Sequence, residues 1–542
     1  MTSFLSHTPW WKKAVIYHVY LRSFADGNGD GIGDIAGLRS KLRYFTPDSL
    51  NVDAIWLSPL HPSPNADWGY DVSDYLSIHP DYGTLAEFDK LIHEAKAQNL
   101  RILLDFVPNH TSIMHPWFRE AVADPTSPKR DWYFFRQPLP DGRPPNNWTC
   151  KFGGSVWNPA ENAPDKVFYL SSYLPEQADL NWRNPEVQTN MCKVLDFWLS
   201  RGIAGFRIDA AYRLMKDPDL QDNPLHPEHT ENNSPTYTEQ IHLHDENHPD
   251  IPKALAMLQS TSTHFQGVLL GEVFAHNQEQ YALYYGTTDT PLFDLVFDFH
   301  LADAPWDATA FKDVLKNSAK IFPTHGWPAW ALSNHDRSRH ASRYDPNDDY
   351  PERTIAAAFI SMTLRGTPIL YMGEEIGMRD VPIPPPKIQD PLTFQVPGMG
   401  RDMARTPMRW HSWKENEGTG FTTGTPWLPE GDAQETRDVE SQRTNPSSLF
   451  HTYRKLLMLR KSRYSLQTGN LSLVDSSSDI LAYTRTLRKE HTHIAVNMGT
   501  TTLPLPQVFS SGTVLLSSDE SLPTGTIAPQ ILRAGDAIIL AQ

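Results

Sequence analysis

The run Gly205-Phe206-Arg207-Ile208-Asp209 decides the fold, because it is a short strand-like run that ends on a carboxylate. It does not alternate between apolar and polar side chains, which is typical of a strand buried on both faces. Seven other runs share this character, and the full set is Val15–Phe24, Ala54–Pro59, Arg101–Val107, Gly205–Ala210, Gly267–Phe274, Leu295–Leu301, Trp327–Asp336 and Thr367–Glu375. Strands of this kind predict a parallel sheet covered by helices.

The segments between these strands have the pattern of amphipathic helices. Thr84 and Glu87 form a capping-box sequence, and from Phe88 onward apolar residues fall at i, i+3, i+4 and i+7. Eight strands alternating with helices predict an α/β fold, a (β/α)8 TIM barrel. An open doubly wound sheet is the alternative, since periodicity alone does not decide whether the sheet closes.

Two long irregular segments and a late change of pattern divide the chain. The segments at 109–180 and 376–446 are both rich in Pro and Gly, and loops of that length are usually lids or small subdomains. From about Arg463 short alternating runs indicate an antiparallel sheet. The predicted organisation is residues 1–108 as the first part of the barrel, 109–180 as a subdomain inserted after strand 3, 181–462 as the rest of the barrel with a long loop subdomain at 376–446, and 463–542 as a C-terminal antiparallel β-domain.

Composition excludes several classes of partner. The 542 residues include 48 Lys and Arg against 64 Asp and Glu, a formal net charge of −16. Because this charge repels phosphates, we expect no nucleic-acid partner and no binding to anionic membranes. With two cysteines, no signal-like segment near Met1 and no apolar run of ~18 residues, the sequence predicts a cytoplasmic protein.

Carboxylates stand where four of the predicted strands end. They are Asp105, Asp209, Glu272 and Asp336. In a barrel of this type the carboxyl ends of the strands face the active site, so we expect these groups to meet at its mouth. Paired carboxylates suit glycoside hydrolysis, in which one attacks the anomeric carbon and the other protonates the leaving oxygen. A structural role explains any single one of them, but it explains four together much less well.

The strand ends also carry a resemblance to a known family. Four runs are similar to the signature regions of glycoside hydrolase family thirteen, the α-amylase superfamily, and they are DFVPNH at 105–110, GFRIDA at 205–210, GEVF at 271–274 and SNHD at 333–336. Three further runs resemble the α-glucosidase and oligo-1,6-glucosidase branch, and they are DWGY at 67–70, QADLN at 177–181 and RTPM at 405–408.

The resemblance implies three catalytic residues. Asp209 is the expected nucleophile, Glu272 the general acid and base, and Asp336 the group that binds the sugar 2- and 3-hydroxyls and stabilises the transition state. A carboxyl separation of ~5 to 5.5 Å is expected for this retaining mechanism.

The resemblance also implies substrate-binding residues. Those expected at the glucose site are Asp67, Tyr70, His110, Arg207, His335 and Arg405. Tyr70 is expected to stack on the sugar ring. Asp67 and Arg405 are expected to pair at the closed end of the site, although Arg401 or Arg409 is an alternative partner.

The expected activity is therefore that of a retaining, exo-acting α-glucosidase. Ala210 follows the nucleophile, and in this branch a small residue there goes with α-1,4 bonds whereas valine goes with α-1,6 bonds. The expected partners are small α-glucosides such as maltose and short malto-oligosaccharides. A glucosyl-transferring enzyme or isomerase of the same family is the alternative. The sequence makes no prediction of oligomeric state.

A glycine-rich loop near the N-terminus predicts a metal site. Oxygen donors recur at every second position, and they are Asp26, Asn28, Asp30, the carbonyl of Ile32 and Asp34. This pattern resembles the first part of an EF-hand loop without its distal Glu, and the family branch has a site here, so we expect a structural Ca²⁺. A turn with solvated acids is the alternative. No Rossmann or phosphate-loop motif occurs, so no organic cofactor is expected.

Overall fold

The eight parallel strands close into a barrel, which the sequence pattern alone did not decide. The computed structural model describes residues 8–542 apart from 229–234, 276, 324, 396, 397, 399, 416, 433 and 434. The barrel strands are β1 Ile16–Val19, β2 Ala54–Leu57, β3 Arg101–Phe106, β4 Gly205–Ile208, β5 Val268–Gly271, β6 Leu295–Asp298, β7 Pro328–Ala331 and β8 Thr367–Tyr371. Each strand pairs in parallel with its neighbour in the chain and β8 pairs with β1, so the open-sheet alternative is wrong.

The strands are shorter than the apolar runs that predict them. The run Val15–Phe24 contains β1, but the chain turns into a 3-10 helix at Leu21–Ser23 that is buried like the strand. Because the residues that follow the strand are also buried, the apolar sequence pattern continues past the end of the strand.

A helix follows each barrel strand. These helices are α1 Ile35–Ser40, α2 Leu85–Ala97, α3 Pro185–Ser200, α4 Ile251–His264, α5 Gln278–Tyr285, α6 Ala308–Ile321, α7 Glu352–Thr363 and α8 Leu449–Ser462. The predicted capping box of α2 is present, since Thr84 Oγ1 accepts from the Glu87 amide and Glu87 Oε2 accepts from the Thr84 amide. Shorter helices are Trp10–Lys13, Pro116–Ala123, His300–Asp303, His340–Tyr344, Leu392–Gln395, Val439–Thr444 and Tyr464–Thr468.

Strand register brings the predicted catalytic groups together. Arg207 of β4 lies opposite Asp105 of β3, and Ile208 lies opposite Gly271 of β5. Asp209 and Glu272 each come one residue after that last pair. Both carboxylates therefore lie at the carboxyl-end mouth of the barrel.

The chain between β3 and α3 forms small sheets of its own. A two-stranded sheet joins His110–Ser112 to Gln177–Asp179, and a three-stranded sheet joins Phe135–Arg136, Phe168–Leu170 and Trp157–Pro159. A separate apolar cluster that includes Trp148, Trp157 and Leu170 packs within this insertion.

The C-terminal part is an antiparallel sheet, as predicted. Its strands are β9 Asn470–Leu473, β10 Ile480–Leu487, β11 Glu490–Asn497, β12 Thr513–Ser517 and β13 Ala537–Ala541, in the order β9-β10-β11-β13-β12. Leu503–Pro504 pairs with Ile531–Leu532 in a smaller sheet. None of the helices in the described part of the chain has the length and apolar run needed to cross a bilayer.

Candidate active site

A pocket of about 470 Å³ opens at the mouth of the barrel. Its volume lies in the range of small-ligand pockets. Predicted site residues that line it are Asp67, Tyr70, His110, Asp209, Glu272 and Asp336. Those that contact the lining side chains from behind are Arg207, His335 and Arg405. The structure thus brings the predicted catalytic and substrate-binding residues to one place.

Arg207 is the cation shared by three carboxyl groups. Its Nη1 lies 2.8 Å from Asp105 Oδ1 and 2.6 Å from Asp209 Oδ1, and its Nη2 lies 2.8 Å from Glu272 Oε1. Burial raises the pKa of Asp105 to about 6 and that of Asp209 well above its ordinary value, while the Arg207 charge opposes both shifts. One cation for three buried carboxyls favours retention of a proton within the group.

The residue after Asp209 holds Glu272 in position. The amide of Ala210 donates to Glu272 Oε2 at 3.0 Å, and the amide of Glu272 donates to the Ile208 carbonyl at 2.9 Å. Ala210 has φ +44°, in the left-handed region that L-residues rarely occupy. This backbone turn directs the Ala210 amide at the carboxylate.

Asp336 is an ionised carboxylate bound by several groups. Its Oδ1 accepts from Arg405 Nη2 at 2.8 Å and from Arg401 Nη1 at 3.3 Å, and its Oδ2 lies 3.1 Å from His335 Nε2. Burial alone raises the pKa of Asp336, but its neighbours, the two arginines among them, lower it well below its ordinary value. Asp336 is therefore charged throughout the neutral range.

The predicted pairing of Asp67 with Arg405 is wrong. Asp67 Oδ1 accepts from Arg401 Nη2 at 2.6 Å, and the same guanidinium binds the buried Asp390 at 2.8 Å. Arg405 follows the 3-10 helix Asp402–Ala404 and binds Asp336 and the backbone carbonyl of His335 instead. Arg401, the alternative partner considered from the sequence, takes the role because its loop lies over Asp67.

Tyr70 is held firmly on the wall of the pocket. Its hydroxyl donates to Asp105 Oδ2 at 3.1 Å and lies 2.6 Å from His335 Nε2, and the two rings are parallel at 5.4 Å. His110 Nε2 lies 3.0 Å from the Tyr70 carbonyl. Gln177, which the sequence shows only as part of a longer run, donates to Asp67 Oδ2 at 3.2 Å.

A further group of lining residues on the Glu272 side escapes the sequence analysis. Phe274 and Phe299 stack at 5.4 Å, and Arg337 lies 4.6 Å from the Phe299 ring. Lys151 of the insertion lines the same wall, 5.3 Å from the Phe274 ring. Phe274 could have been predicted because it belongs to the GEVF run, whereas no periodic sequence pattern indicates Lys151.

The predicted metal-binding loop, residues 26–34, offers oxygen atoms as its possible metal ligands. Asp26 Oδ1 accepts from the amides of Asn28 and Gly29, and Asp30 Oδ1 accepts from the amide of Ile32, so the segment curls round its own side chains. Asp34 also caps α1 by accepting from the Gly37 amide at 2.6 Å. Carboxylate, amide and carbonyl oxygens are the donors that Ca²⁺ prefers, so the residue set fits this ion.

A second acidic group is an ion-pair network. His242, Asp245 and Glu246 place ligand atoms within 4.8 Å of one another. Arg213 pairs with both carboxylates, at 3.3 Å from Asp245, and His242 Nδ1 lies 3.0 Å from Asp245. The positive charge of Arg213 therefore compensates the two carboxylates and occupies the position that a metal ion would need.

Comparison with known proteins agrees with the fold. A model of the α-amylase catalytic domain matches residues 18–469. A probable α-glucosidase of Rhizobium meliloti (strain 1021) is 38% identical over 501 residues, which cover 90% of this chain and 89% of that protein. A trehalose-6-phosphate hydrolase of Escherichia coli (strain K12) is 36% identical over 530 residues, which cover 91% and 92%. The crystal structure of XgtA, an α-glucosyl transfer enzyme, superposes with a TM-score of 0.89 at 34% identity, covering 99% of this chain and 100% of that one.

Proposed function

The chain belongs to the α-amylase family of glycoside hydrolases, and from that premise we propose that it is a retaining, exo-acting α-glucosidase. It releases α-glucose from the non-reducing ends of maltose and short α-1,4-linked oligosaccharides. The observation that carries the proposal is the single guanidinium of Arg207 between Asp209 and Glu272. It supports a nucleophile and a proton donor that act on the same glycosidic bond.

The reaction proceeds in two displacements. Asp209 attacks the anomeric carbon while Glu272 gives its proton to the leaving oxygen, so the glycosidic bond breaks and a glucosyl ester forms on Asp209. Glu272 then takes a proton from water, whose oxygen attacks the anomeric carbon and releases the Asp209 carboxylate. Two inversions give net retention, so the first product is α-glucose.

Asp336 supports the oxocarbenium-like transition state. The resemblance gives it the 2- and 3-hydroxyls of the glucose, and hydrogen bonds at the 2-hydroxyl strengthen as positive charge develops on the ring. Arg405 and Arg401 hold the carboxylate ionised and in place.

The Asp67–Arg401 pair supports exo-action. The pair lies on the side of the pocket that Tyr70 and His110 line. A polar group held there is suited to grip the 4-hydroxyl of a terminal glucose. A glucan chain extended at that hydroxyl has no room, so only ends are cleaved.

Ala210 supports a preference for α-1,4 bonds. Its small side chain is buried beside Asp209, where the resemblance associates valine with α-1,6 cleavage. The likeness to XgtA favours a second candidate, in which a sugar or other hydroxyl replaces water in the second displacement. The covalent intermediate is common to both.

We further propose that Asp26, Asn28, Asp30, Ile32 and Asp34 hold a structural Ca²⁺. The loop precedes α1 and contacts the segment around Thr422, whose hydroxyl hydrogen-bonds to Asp26. An ion here stabilises the loop that leads from β1 to α1 and supplies no group to the reaction.

A slow fluorinated glucosyl donor tests the mechanism. We expect the intact enzyme to carry one glucosyl group, which peptide mass spectrometry locates on Asp209, and Asp209→Asn to carry none. Proton NMR of maltose hydrolysis is expected to show α-glucose first. A label on another side chain, or β-glucose as the first product, refutes the proposal.

A further inference from the structure

Lys151 places a cation in the lining of the pocket that holds Glu272. It lies in the insertion, where its amide donates to the Ser172 carbonyl at 3.1 Å. Its Nζ is 4.2 Å from the ring centre of Tyr237 and 5.3 Å from that of Phe274, and its side chain lines the pocket. The two aromatic faces hold the ammonium without neutralising its charge.

Within the described residues, the Lys151 ammonium has neither an ion pair nor a hydrogen bond. Two carboxylates are near enough for their charges to act on it, but both are held by other groups. Glu246 pairs with Arg213, and Glu272 pairs with Arg207. Burial lowers the pKa of Lys151 to about 8, which reflects the absence of a close counter-charge.

A second cation adds to the positive charge of this wall. Arg337 lines the same pocket over the ring of Phe299, and its ion-pair partner Asp303 is more than half exposed. The Arg337 charge also acts on Lys151 and lowers its pKa further. Two cations, Lys151 and Arg337, therefore line this part of the pocket.

In the part of the chain that the structure describes, the Lys151 ammonium is a charged donor without a hydrogen-bond or ion-pair partner in the lining of the pocket. A partly buried charge that lacks a counter-charge is costly, and a ligand that supplies the opposite charge removes that cost. An anionic group on the substrate, bound to Lys151, offsets that charge. The arrangement is thus better suited to a charged leaving group than to a neutral one.

We propose that the leaving-group site accepts α-glucosides whose aglycone carries an anionic substituent, a phosphate or a carboxylate, which Lys151 binds. The inference rests on the proposed glucosidase activity and deepens it, since it names the chemical class of the aglycone. Because a lysine also donates hydrogen bonds to neutral sugar hydroxyls, the test compares substrates of similar shape that differ in charge.

Matched substrates isolate the charge. 4-Carboxyphenyl and 4-carbamoylphenyl α-glucosides differ chiefly in one negative charge, and trehalose 6-phosphate and trehalose form the corresponding phosphate pair. We expect kcat/KM to be about ten- to a hundredfold higher for the anionic member of at least one pair, the range of a hydrogen bond to a charged group. The preference is expected to weaken as ionic strength rises.

Three variants assign the preference to Lys151. Lys151→Met is expected to lose the preference, so that the ratio of kcat/KM for the anionic and the neutral member falls to about one, and Lys151→Arg is expected to retain it. Lys193→Met, on the exposed face of α3, is the matched control and is expected to behave as the native enzyme. Circular dichroism establishes that each variant is folded.

The outcomes separate this inference from the function on which it rests. A preference confined to the phosphate pair or to the carboxylate pair supports the inference and identifies the source of the anion. Equal rates for both members of both pairs overturn it, and so does a preference that survives in Lys151→Met. Failure to hydrolyse any α-glucoside, neutral or charged, counts against the glucosidase itself.

Discussion

The amide of Ala210 donates a hydrogen bond of 3.0 Å to Glu272 Oε2. The residue that follows the proposed nucleophile therefore positions the proposed proton donor. It does so from a left-handed backbone conformation with φ +44°, which couples the side chain at position 210 to the geometry of both carboxylates. The proposed bond preference and the proposed catalytic geometry thus depend on the same residue.

Ala210→Val is expected to raise the isomaltose-to-maltose ratio of kcat/KM about tenfold, the range that added methyl groups in a pocket produce. A β-branched residue in the left-handed region also costs about 1 to 2 kcal/mol of stability. Ala210→Gly, which removes the strain without filling space, is the control and is expected to leave the ratio unchanged. An unchanged ratio in Ala210→Val removes the basis for the α-1,4 assignment.

The acid side of the pH profile is expected to reflect the carboxyl group around Arg207. As pH falls, protonation of Asp209 removes the nucleophile, and because its pKa is raised the rate falls at higher pH than for an ordinary aspartate. Asp105→Asn removes a carboxyl group whose negative charge raises the pKa of Asp209, so the variant is expected to move this limb about one pH unit lower. The profile of kcat/KM on maltose measures both. An acid limb that stays in place, or moves upward, contradicts the assignment.

Arg401→Lys is expected to lower kcat/KM on maltose about a hundredfold, mainly through KM. Lysine keeps the charge but cannot bind Asp67 and Asp390 together, so the closed end loses its geometry. Arg409→Lys is the matched control, because among the described residues Arg409 hydrogen-bonds to the backbone carbonyls of Glu430 and Glu435 and not to Asp67. Equal losses in the two variants show that the loop, and not the pair with Asp67, sets the affinity.

Chelation is expected to lower the melting temperature. If the loop holds Ca²⁺ at about a hundred times its dissociation constant, removal of the ion costs about 2.7 kcal/mol. We expect EDTA to lower Tm by a few degrees, Ca²⁺ to restore it better than Mg²⁺, and Asp30→Asn to be insensitive to both. Asp124→Asn, at an exposed turn, keeps the native response. A Tm that EDTA leaves unchanged argues for a solvated turn.

Glu375 is expected to make the fold less stable as pH rises. Burial raises its pKa to about 7 from 4.5, although the hydroxyls of Tyr17 and Tyr44 donate to it. Its contribution is therefore complete below pH 4.5 and declines by about 3 kcal/mol as pH rises to 7. Glu375→Gln lacks this decline, so urea unfolding at pH 5 and pH 8 is expected to show the variant gaining on the native protein. Parallel pH dependence in the two proteins contradicts the assignment.

The meeting of Asp209 and Glu272 at the barrel mouth could be predicted because strand order and register determine where they lie. Asp209 and Glu272 each end a short buried strand, and the barrel brings adjacent strand ends together. The choice between Arg401 and Arg405 could not be predicted in the same way. Arg401 and Arg405 carry the same charge and lie four residues apart in an irregular loop. Which of them contacts Asp67 depends on the path of that loop.

Lys151 illustrates the other limit. It belongs to an insertion whose small sheets leave no periodic pattern, and its importance comes from neighbours distant in sequence, Tyr237 and Phe274. Position in the chain therefore carries no sign of its place beside Glu272. By contrast, Phe274 lies two residues after Glu272 and is fixed by the same strand end.

The pocket closed by Asp67 and Arg401 has a kinetic consequence. In the proposed exo-acting mechanism, the aglycone departs before water reaches the ester, and the glucose is the last to exit. Free glucose is then the product that rebinds the empty enzyme, so it inhibits competitively against the donor. Any hydroxyl compound bound at the opening competes with water for the second displacement. Its concentration determines how much glucose is transferred to it instead of being released.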